Sequence, residues 1–492
     1  MSSFPHPIYS QHVLQPAYRD AQAYLFEPML AAHEAQAVML TRCGIISREN
    51  GAALVQAVAD IRAMGPEALA YQPGVEDLFF RIESLIIERV GPDYGGNLQL
   101  ARSRNDLGHA LARMALRGDI LILYADLLLL RQAVLALARR HVETIMPGYT
   151  HTQPAQPVTF AHYLAGVLTA LQKDQARLAA AYANMNESPL GAAAFTGVGF
   201  PIDRTLTAQL LGFDRVITST QHAIGAGDNL TDTSFALQSL STNLGRVTHD
   251  LLNRAMQETN ALHVDDSFIQ ISSIMPQKRN PVVLEHLRAR LSRALGYAQT
   301  VVLQCHNIPY GDTQDIEDEI LPPLYSGLDA MRECVTLYTA FFETLTLNEA
   351  HLRAQAGFGF TTATELADTL VREAGLPFRQ AHKIVATMVQ NAVKAGLGSD
   401  ALTLAMLQAA ARTVLGEELA FSEEQFTRAL DPEHFVAVRT VPGGVAPEAT
   451  DSLLDELAQQ IQMDEEWLED ARERLHRADA YRAREVQLLV EG

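Results

Sequence analysis

The sequence predicts an all-helical protein built around long helices. Alanine and leucine dominate the chain, whereas runs of β-branched residues with alternating polarity are scarce. Apolar residues instead recur at helical spacing, and the longest such segment, residues 104–140, spans 37 residues without a proline. At 1.5 Å per residue this segment would form a helix of about 55 Å. A helix of this length is unusual in a small domain and typical of an elongated bundle.

Further segments carry the same helical spacing. We predict helices over residues 158–186, 231–258, 281–304, 323–345 and 362–393. Ser422 with Gln425 fits a capping box that opens another helix, and the Pro- and Gly-rich run 441–447 predicts a break before a final helix. Irregular segments rich in Gly, Pro and polar residues separate the helices, at 91–105, 146–157, 188–203, 259–281 and 306–322. Chemistry often lies on loops of this kind, held by a rigid scaffold.

Length and charge narrow the class of protein. The chain has 492 residues, 48% of them hydrophobic, which suggests about three domains with large cores. We expect an N-terminal helical domain (1–105), a central long-helix bundle (106–355) and a C-terminal helical domain (356–492). The net charge of −20 argues against a nucleic-acid partner, because phosphate binding needs a basic surface. An anionic ligand would depend on a few well-placed cations.

The sequence also indicates a cytoplasmic protein. Its three cysteines are scattered, which favours a reducing compartment over a disulfide framework: Cys43, Cys305 and Cys334. The first residues show no basic stretch followed by an apolar run, so we expect no signal peptide. The most apolar stretch, from Ile120 to Leu137, is interrupted by Asp126 and Arg131, which favours a buried helix over a membrane span. The spacing of Cys and His shows no zinc pattern, and we predict no metal.

The loop at 267–281 carries residues suited to binding an anion. Its two prolines, Pro276 and Pro281, disfavour a continuous helix. Around them lie two hydroxyls, a thioether, an ammonium and an amide: Ser272, Ser273, Met275, Lys278 and Asn280. Lysine charge, amide donors and backbone N–H groups could together surround an anionic group. The alternative is an ordinary Ser/Pro turn that leads into the next helix.

A second motif precedes the long helix, in the run Arg102-Ser103-Arg104-Asn105-Asp106. Arg104 can fork onto a carboxylate, and Asn105 offers both a donor and an acceptor. Equally, Asn105 or Asp106 could simply cap the helix.

A third motif lies in the irregular segment 148–157. His151 stands there beside two hydroxyls and an amide, from Thr150, Thr152 and Gln153. Such surroundings can set the tautomer of a proton-handling histidine. The alternative is a hydrogen-bonded histidine at the entrance to a helix.

Together the three motifs resemble the signatures of one enzyme family. Residues 272–281 match the pattern S-S-x-M-P-x-K-x-N-P of the fumarase/aspartase superfamily at every fixed position, with Ile271 where the family usually has Gly. The S-R-N-D run at 103–106 and the T-H-x-Q run at 150–153 are similar to those of argininosuccinate lyases, in the same order and at similar spacing. Stretches at 188–204, 363–368 and 441–447 also resemble these enzymes, so the resemblance covers nearly the whole chain.

The resemblance implies a fold, an assembly and an activity. The fold is three mostly helical domains, and the central ones associate into a twenty-helix core in a homotetramer. Each active site draws its three elements from three different subunits. The activity is that of a carbon–nitrogen lyase that releases fumarate from a small amino-dicarboxylate substrate, without metal or organic cofactor. Neither a nucleic acid nor a membrane is an expected partner.

The resemblance also implies roles for the motif residues. Ser272 is the candidate base that removes a proton from the carbon beside a carboxylate, and a serine needs its alkoxide stabilised to do so. Lys278 and nearby backbone N–H groups would stabilise that alkoxide. Lys278 and Asn280 would also stabilise the dianionic aci-carboxylate intermediate. His151 would orient the substrate or handle a proton. Substrate contacts are implied for Ser103, Arg104, Asn105, Thr150, Gln153, Ser273, Met275, Asn280, Tyr310 and Gln314.

Three departures from the family pattern concern the pocket for the amine half of the substrate. Tyr310 and Gln314 match a substrate-binding loop if one residue is deleted between them, but the lysine of that loop falls on Glu317. Residues 76–79 read E-D-L-F where these lyases have E-D-x-H, and Pro154 replaces a common Arg. These departures affect the residues expected to bind the arginine half of argininosuccinate more than the residues expected to act on the half that becomes fumarate.

The sequence is therefore compatible with several functions. The first is a lyase for an N-substituted aspartate, with argininosuccinate as the default substrate. The second is an aminopolycarboxylate lyase of the ethylenediamine-disuccinate type, which Glu317 and the lost histidine favour. The third is a crystallin-like structural protein with little activity, against which the retained motif residues count. A fumarase or aspartase is a further alternative, but the S-R-N-D run is closer to argininosuccinate lyases.

Overall fold

Helices make up most of the computed structural model, which describes residues 4–491, with the side chain of residue 317 outside the described part. The first helices are α1 (Pro7–Tyr9), α2 (Gln15–Tyr24), α3 (Phe26–Arg42), α4 (Arg48–Met64), α5 (Leu78–Val90) and α6 (Pro92–Gly95). Helices α2 to α5 share a hydrophobic cluster that includes Tyr18, Leu30 and Ile82, each at most 1% exposed. This cluster covers one end of the bundle that follows.

The middle of the chain alternates long helices with short strands. Its elements are α7 (Arg104–Arg140), β1 (Ile145–Thr150), β2 (Gln153–Thr159), α8 (Phe160–Met185), β3 (Glu187–Ser188), α9 (Arg204–Leu210), β4 (Arg215–Val216), α10 (Thr220–Gly225), α11 (Asp228–Ala255), β5 (Leu262–His263), β6 (Gln270–Ile271), β7 (Arg279–Asn280), α12 (Val282–His306), α13 (Leu321–Thr344) and β8 (Thr346–Leu347). The strands pair only in twos: β1 with β2, β5 with β8 and β6 with β7 antiparallel, and β3 with β4 parallel.

The last part of the chain forms a small helical unit and one long helix. Its helices are α14 (Glu349–Ala356), α15 (Ala363–Ala374), α16 (Phe378–Lys394), α17 (Leu404–Leu415), α18 (Glu423–Ala429), α19 (Pro432–Ala437) and α20 (Pro447–Glu491). Short 3₁₀ turns lie at Pro66–Ala68, Gly96–Gln99, Asp266–Phe268, Phe358–Phe360 and Ser399–Ala401, and π turns at Ser10–Leu14 and Asp315–Glu319. Helices α15 to α18 enclose their own hydrophobic cluster, separate from the bundle.

Five helices close into a ring: α7 packs on α8, α8 on α11, α11 on α12, α12 on α13, and α13 on α7. From α7 to α13 each helix of the ring runs antiparallel to the one before it, as Arg113 near the start of α7 donates to the carbonyl of Asn184 at the end of α8 (2.6 Å). Helix α13 therefore runs parallel to α7 where the ring closes. We call the end of the bundle where α7 begins the proximal end, and the end where α7 finishes the distal end. The loops at 307–320 and 103–105 therefore lie at the proximal end, and those at 259–281 and 145–159 at the distal end.

Helix α7 forms over the predicted range because its sequence supplies both a start and a core face. Ser103 caps the helix and forms a capping box with Asp106. By length and hydropathy α7 could cross a bilayer, the one helix of residues 4–491 that could, but 61% of its most apolar stretch is buried within this chain. Since α8, α13 and α20 pack around it, α7 is a core helix of the bundle.

The other sequence predictions are mostly confirmed, with two corrections. The four helices predicted between 158 and 345, the capping box at Ser422 and the break before α20 are all present. The single helix predicted over 362–393 is wrong, since the chain breaks between α15 and α16, where Gly375 adopts a left-handed conformation (φ 68°) shortly before Pro377. The segment 146–157 is mainly a β-hairpin rather than an irregular loop.

The acidic helix α20 runs the length of the bundle. Its 45 residues contact α7 and α8 and then the N-terminal helices α3 and α4. Arg139 of α7 pairs with Asp455 (2.7 Å), and Arg42 of α3 donates to Glu485 (3.0 Å). Arg482 donates to Glu34 of α3 in the same region (3.1 Å). Part of the acidic excess is thus paired across helices.

Asp106 joins the start of α7 to the segment that follows α8, and its loss is expected to destabilise the fold. The carboxylate is fully buried and accepts from the backbone N–H groups of Ser103, Gly191 and Ala193, each at 2.9 Å. Asp106→Ala leaves three donors without this partner, at a cost of about 3 kcal/mol or more. Urea unfolding followed by circular dichroism measures the loss.

A matched control for this change is Asp203→Ala. Asp203 is the exposed N-cap of α9 and accepts one hydrogen bond, from Leu206 N–H at 2.9 Å. Losing such a cap costs about 1 kcal/mol. If both variants lost the same free energy of unfolding, the bonds to Gly191 and Ala193 would contribute no more stability than an ordinary N-cap.

Candidate active site

The loop between β6 and β7 holds the predicted base. Gln270 pairs with Asn280 and Ile271 with Arg279, so the hairpin brings the two ends of the S-S-x-M-P-x-K-x-N-P motif together. Within the loop, Ser272 Oγ accepts hydrogen bonds from the backbone N–H groups of Met275 (2.9 Å) and Ile274 (3.3 Å). Two N–H donors aimed at one hydroxyl oxygen also stabilise negative charge on that oxygen.

The same loop is strongly exposed in the single chain. Ile274 is 85% exposed, Ile271 74% and Met275 44%, and Ser273 and Lys278 are exposed as well. The backbone is nevertheless ordered by internal bonds, since Lys278 N–H donates to the carbonyl of Met275 (3.0 Å). Large apolar side chains held out from the surface are typical of a segment that a partner or ligand covers.

The T-H-x-Q motif forms the tip of the β1–β2 hairpin. Thr150 pairs with Gln153, and His151 and Thr152 between them have φ values of 51° and 62°. Two residues with positive φ make the tight turn that fits twisted antiparallel strands. The alternative of a histidine at a helix entrance is therefore wrong, since α8 begins at Phe160, beyond the second strand. All four motif side chains are exposed, so the hairpin presents them outward.

The S-R-N-D motif builds the proximal end. Ser103 is the N-cap residue of α7 and donates from its Oγ to Asn105 Oδ1 (2.9 Å). Asp106 takes part in the cap by accepting from Ser103 N–H, whereas Asn105 is not the cap residue. Arg104 pairs with Asp77 (2.7 Å) and Glu76 (3.4 Å) and lies over the Phe80 ring (4.9 Å). Glu76 and Asp77 belong to the E-D-L-F run in which the family histidine is missing, and here they hold the motif arginine.

The loop at 307–320 supplies the other two predicted residues. The Tyr310 hydroxyl lies 2.6 Å from Nδ1 of His222, whose Nε2 lies 3.7 Å from Asp228. Gln314 Nε2 donates to Asp318 (2.7 Å). The loop can pack here because α10 ends in Gly225, where a Cβ would come within 3.0 Å of Tyr310. The predicted role of Glu317 depends on a side chain outside the described residues.

The proximal cavity has apolar walls from α2 and α7, and carboxylates outnumber cations in its lining. Its polar lining includes Glu76, Asp77, Arg104, His109, Asn229, Gln314 and Asp318. Burial raises the pKa values of Asp77, Asp318 and nearby Asp312, and the Arg104 charge acts in the opposite direction on all three. The carboxylates outnumber the single guanidinium, so this end of the bundle favours a ligand that brings positive charge.

The predicted residues thus form two groups at opposite ends of one chain. Ser103, Arg104, Asn105, Tyr310 and Gln314 lie at the proximal end; Thr150, His151, Gln153, Ser272, Ser273, Met275, Lys278 and Asn280 lie at the distal end. The 25-residue helix α12 connects Asn280 to Tyr310 and is about 37 Å long at 1.5 Å per residue. A small dicarboxylate cannot bridge that distance, so one chain alone does not assemble the complete set.

Sequence reasoning missed three residues of the proximal end: His109, His222 and Asp312. His109 lies one helical turn after Asn105, on the same face of α7, which was a usable signal. His222 and Asp312 gave none, because their positions depend on loops folding against residues far away in the chain. Among the described residues, no group of three or more His, Cys, Asp or Glu side chains could hold a metal ion.

Comparison with known proteins gives two matching family profiles. One, described as "Lyase", matches residues 7–296, and one described as "Argininosuccinate lyase C-terminal" matches residues 360–437. Similar curated proteins include argininosuccinate lyase 1 of Shouchella clausii, which is 34% identical over 95% of this chain and 94% of its own length. The argininosuccinate lyase of Natronomonas pharaonis is 39% identical, over 95% and 92% of the two chains.

Solved structures agree with these matches. The crystal structure of EDDS lyase in complex with formate has a TM-score of 0.88 and 29% sequence identity, and the match covers 100% of this chain and 97% of that one. A class II fumarase from Schistosoma mansoni has a TM-score of 0.69 at 16% identity, over 87% and 92% of the two chains, and shows the shared fold alone. The likeness to EDDS lyase extends over the whole chain, including both ends of the bundle.

Proposed function

Because the chain belongs to the fumarase/aspartase superfamily and is argininosuccinate lyase-like, it is a carbon–nitrogen lyase that releases fumarate, and we propose that it acts on an N-substituted aspartate by serine-mediated proton abstraction. The Ser272 alkoxide takes a proton from the carbon next to a carboxylate. The electron pair moves onto that carboxylate to give an aci-carboxylate dianion. Its collapse breaks the C–N bond, and the amine leaves with the bond's electron pair and takes up a proton.

The observation that carries this proposal is the environment of Ser272 Oγ. The two backbone N–H groups at 2.9 and 3.3 Å stabilise negative charge on that oxygen, as an alkoxide base requires. Lys278 and Asn280 follow at the other side of the same hairpin, where they would hold the dianion. Thr150, with Gln153 across the turn, would bind a substrate carboxylate, and His151 would orient the substrate or pass a proton.

We further propose that copies of the chain complete each other's sites in a homotetramer. Each chain contributes a ring of five helices, so four copies supply the twenty helices expected of the family core. The bundle helices also keep large apolar side chains exposed, among them Leu129 (55%), Phe235 (52%) and Leu303 (70%). Packing copies against one another would bring the proximal end of one chain to the distal ends of two others.

The amine half of the substrate is assigned to the proximal end. Arg104 is engaged by Glu76 and Asp77, so a substrate carboxylate would have to share that guanidinium. The remaining carboxylates, Asp312 and Asp318, would attract a cationic nitrogen. Asn105, Tyr310 and Gln314 can add neutral hydrogen bonds. In this arrangement the distal loops bind the succinyl half of the substrate, and the acidic proximal end binds its charged amine half.

Argininosuccinate is the first candidate substrate, because the curated relatives at 33–39% identity are named argininosuccinate lyases. Ethylenediamine-disuccinate is the second, because the EDDS lyase structure matches the whole chain. We also propose a cytoplasmic enzyme of three domains, 1–105, 106–355 and 356–492. Three hydrophobic clusters support the division, although α20 packs on the first two domains rather than the third.

A substrate panel is expected to give fumarate from one of these two compounds. Purified protein would be incubated with argininosuccinate, ethylenediamine-disuccinate, adenylosuccinate, aspartate and malate, and fumarate followed by its ultraviolet absorbance. We expect release from argininosuccinate or ethylenediamine-disuccinate at least about 100-fold faster than from aspartate. The leaving group of aspartate is only ammonia, which cannot make the contacts that a larger amine makes at the acidic proximal end. Release from malate alone would contradict the assigned amine half. Intact tetramers that release fumarate from none of the five would favour the crystallin-like alternative.

A further inference from the structure

His109 is a buried histidine that borders the proximal cavity. It lies one turn after Asn105 on α7 and is only 7% exposed. Its neighbours around the cavity include Arg104, Gln314 and Asp318. The position follows from the helix itself, since residues four apart share one face.

One ring nitrogen of His109 has no hydrogen-bond partner among the described residues. That atom, Nε2, is buried and lies 3.8 Å from Oδ1 of Asp312. Burial is the main cause that lowers the pKa of His109 to about 4, so the ring is neutral near pH 7. The charge of the buried Arg113 also lowers this pKa, whereas the backbone of Ile224 acts on the ring as a hydrogen-bond partner that raises it.

A neutral imidazole nitrogen and a carboxylate oxygen are both acceptors when the ring's proton is directed to the Ile224 carbonyl. At 3.8 Å the two atoms are too far apart for a direct hydrogen bond and close enough for one donor to serve both. Of these two acceptors His109 Nε2 is the buried one, whereas Asp312 is exposed. A buried acceptor without a donor is unfavourable, and such atoms in native structures usually have a partner. A positively charged N–H group is the donor that matches this geometry and the negative charge of Asp312.

We propose that His109 and Asp312 form the subsite for the charged nitrogen of the substrate's amine half, a guanidinium or an ammonium group. The inference rests on the proposed function, which it extends by naming the group that recognises the leaving amine. His109 accepts an N–H bond at Nε2, and Asp312 supplies the opposite charge. Neither residue takes part in proton abstraction, which occurs at Ser272.

The test compares His109→Leu and Asp312→Asn with the wild-type enzyme in the reverse reaction. Fumarate is combined with L-arginine, which brings a guanidinium, or with ethylenediamine-N-succinate, which brings ammonium groups. Each change is expected to raise KM for the productive amine about tenfold or more, since hydrogen bonds to charged groups have this size. KM for fumarate is expected to stay within about twofold. An unchanged amine KM in both variants would overturn the inference.

Two further variants separate recognition from packing. His109→Gln keeps an acceptor, and its amine KM is expected to fall between those of the wild type and His109→Leu. His33→Leu is the matched control: His33 is 1% exposed, its ring nitrogens lack partners among the described residues, and it does not line the cavity. Its amine KM is expected to equal that of the wild type. If His33→Leu raised the amine KM as much as His109→Leu, a packing effect would replace the inference.

A binding measurement keeps the subsite testable apart from turnover. Calorimetric titration of the Ser272→Ala variant with the two amines, in the presence of fumarate, needs no reaction. Tight binding that Asp312→Asn weakens about tenfold would support the subsite even if proton abstraction used another base. Failure of the wild type to release fumarate from the panel would count against the proposed function instead. Binding of neither amine by any form would overturn the subsite.

Discussion

Replacing Ser272 with alanine is expected to lower turnover by about 10²–10⁴-fold, the usual contribution of a positioned base. The variant removes the proposed base, the Oγ atom that accepts hydrogen bonds from the N–H groups of Ile274 and Met275. Because the loop is exposed in the single chain, the freed N–H groups can bond to water, and stability should change little. Steady-state fumarate release measures kcat, and size-exclusion chromatography checks the assembly.

Ser273→Ala is the matched control for that result. Ser273 is the adjacent hydroxyl on the same exposed loop. We expect its loss to lower kcat by less than about tenfold, because a residue that only contacts substrate contributes less than the base. The reverse ranking of the two variants would move the base to Ser273.

Mixing two inactive variants is expected to restore activity, because the two ends of the bundle would come from different chains. Arg104→Gln damages the proximal end, and Ser272→Ala the distal end. In mixed tetramers formed from equal amounts, about a quarter of the sites would combine two intact elements, since two independent chains must each be of the right kind. Co-expression with two affinity tags, followed by sequential purification, isolates the mixed oligomers. Their fumarate release is expected to exceed that of either variant at least tenfold.

The control for this experiment pairs Ser272→Ala with Lys278→Met. Both changes lie in one loop of one chain, so no mixed tetramer contains an intact loop. This pair is expected to stay as inactive as its parents. Mixed oligomers of Arg104→Gln and Ser272→Ala that show no gain would mean that sites are not shared between chains.

The fold was predictable where local signals and burial agree. Helix α7 has a capping residue at Ser103, apolar residues at helical spacing and no proline, and it forms over its predicted range. The β1–β2 hairpin was not predicted, because its strands hold three prolines and its turn lacks the usual Asn-Gly or Asp-Gly pair. Contacts with α14 and α19 accompany the hairpin, and they join segments about 200 or more residues apart.

The candidate site likewise contains residues that sequence motifs can predict and residues that only the folded chain brings together. Motif patterns predict Ser272, Arg104 and His151 as site residues without any structure, because their spacing along the chain is itself the signal. His109 and Asp312 depend on two segments that meet only after the bundle closes, and no short pattern joins them. The placement of the proximal and distal groups at opposite ends of the bundle also depends on the directions of the helices, which the motifs do not reveal. The role of Glu317 in selecting the amine stays a prediction.

The helix α20 has a consequence for how the chain reaches its native state during synthesis. Its pairs Arg42–Glu485 and Arg482–Glu34 join residues 443 and 448 positions apart. At ribosomal rates of 5–20 residues per second, these partners are synthesised roughly 20 to 90 s after the first helices. Until then one flank of the amino-terminal cluster stays open to water, to other nascent chains and to chaperones. Contacts between sites so distant in the chain form late and slowly, so completion of this cluster should be the slow event in maturation.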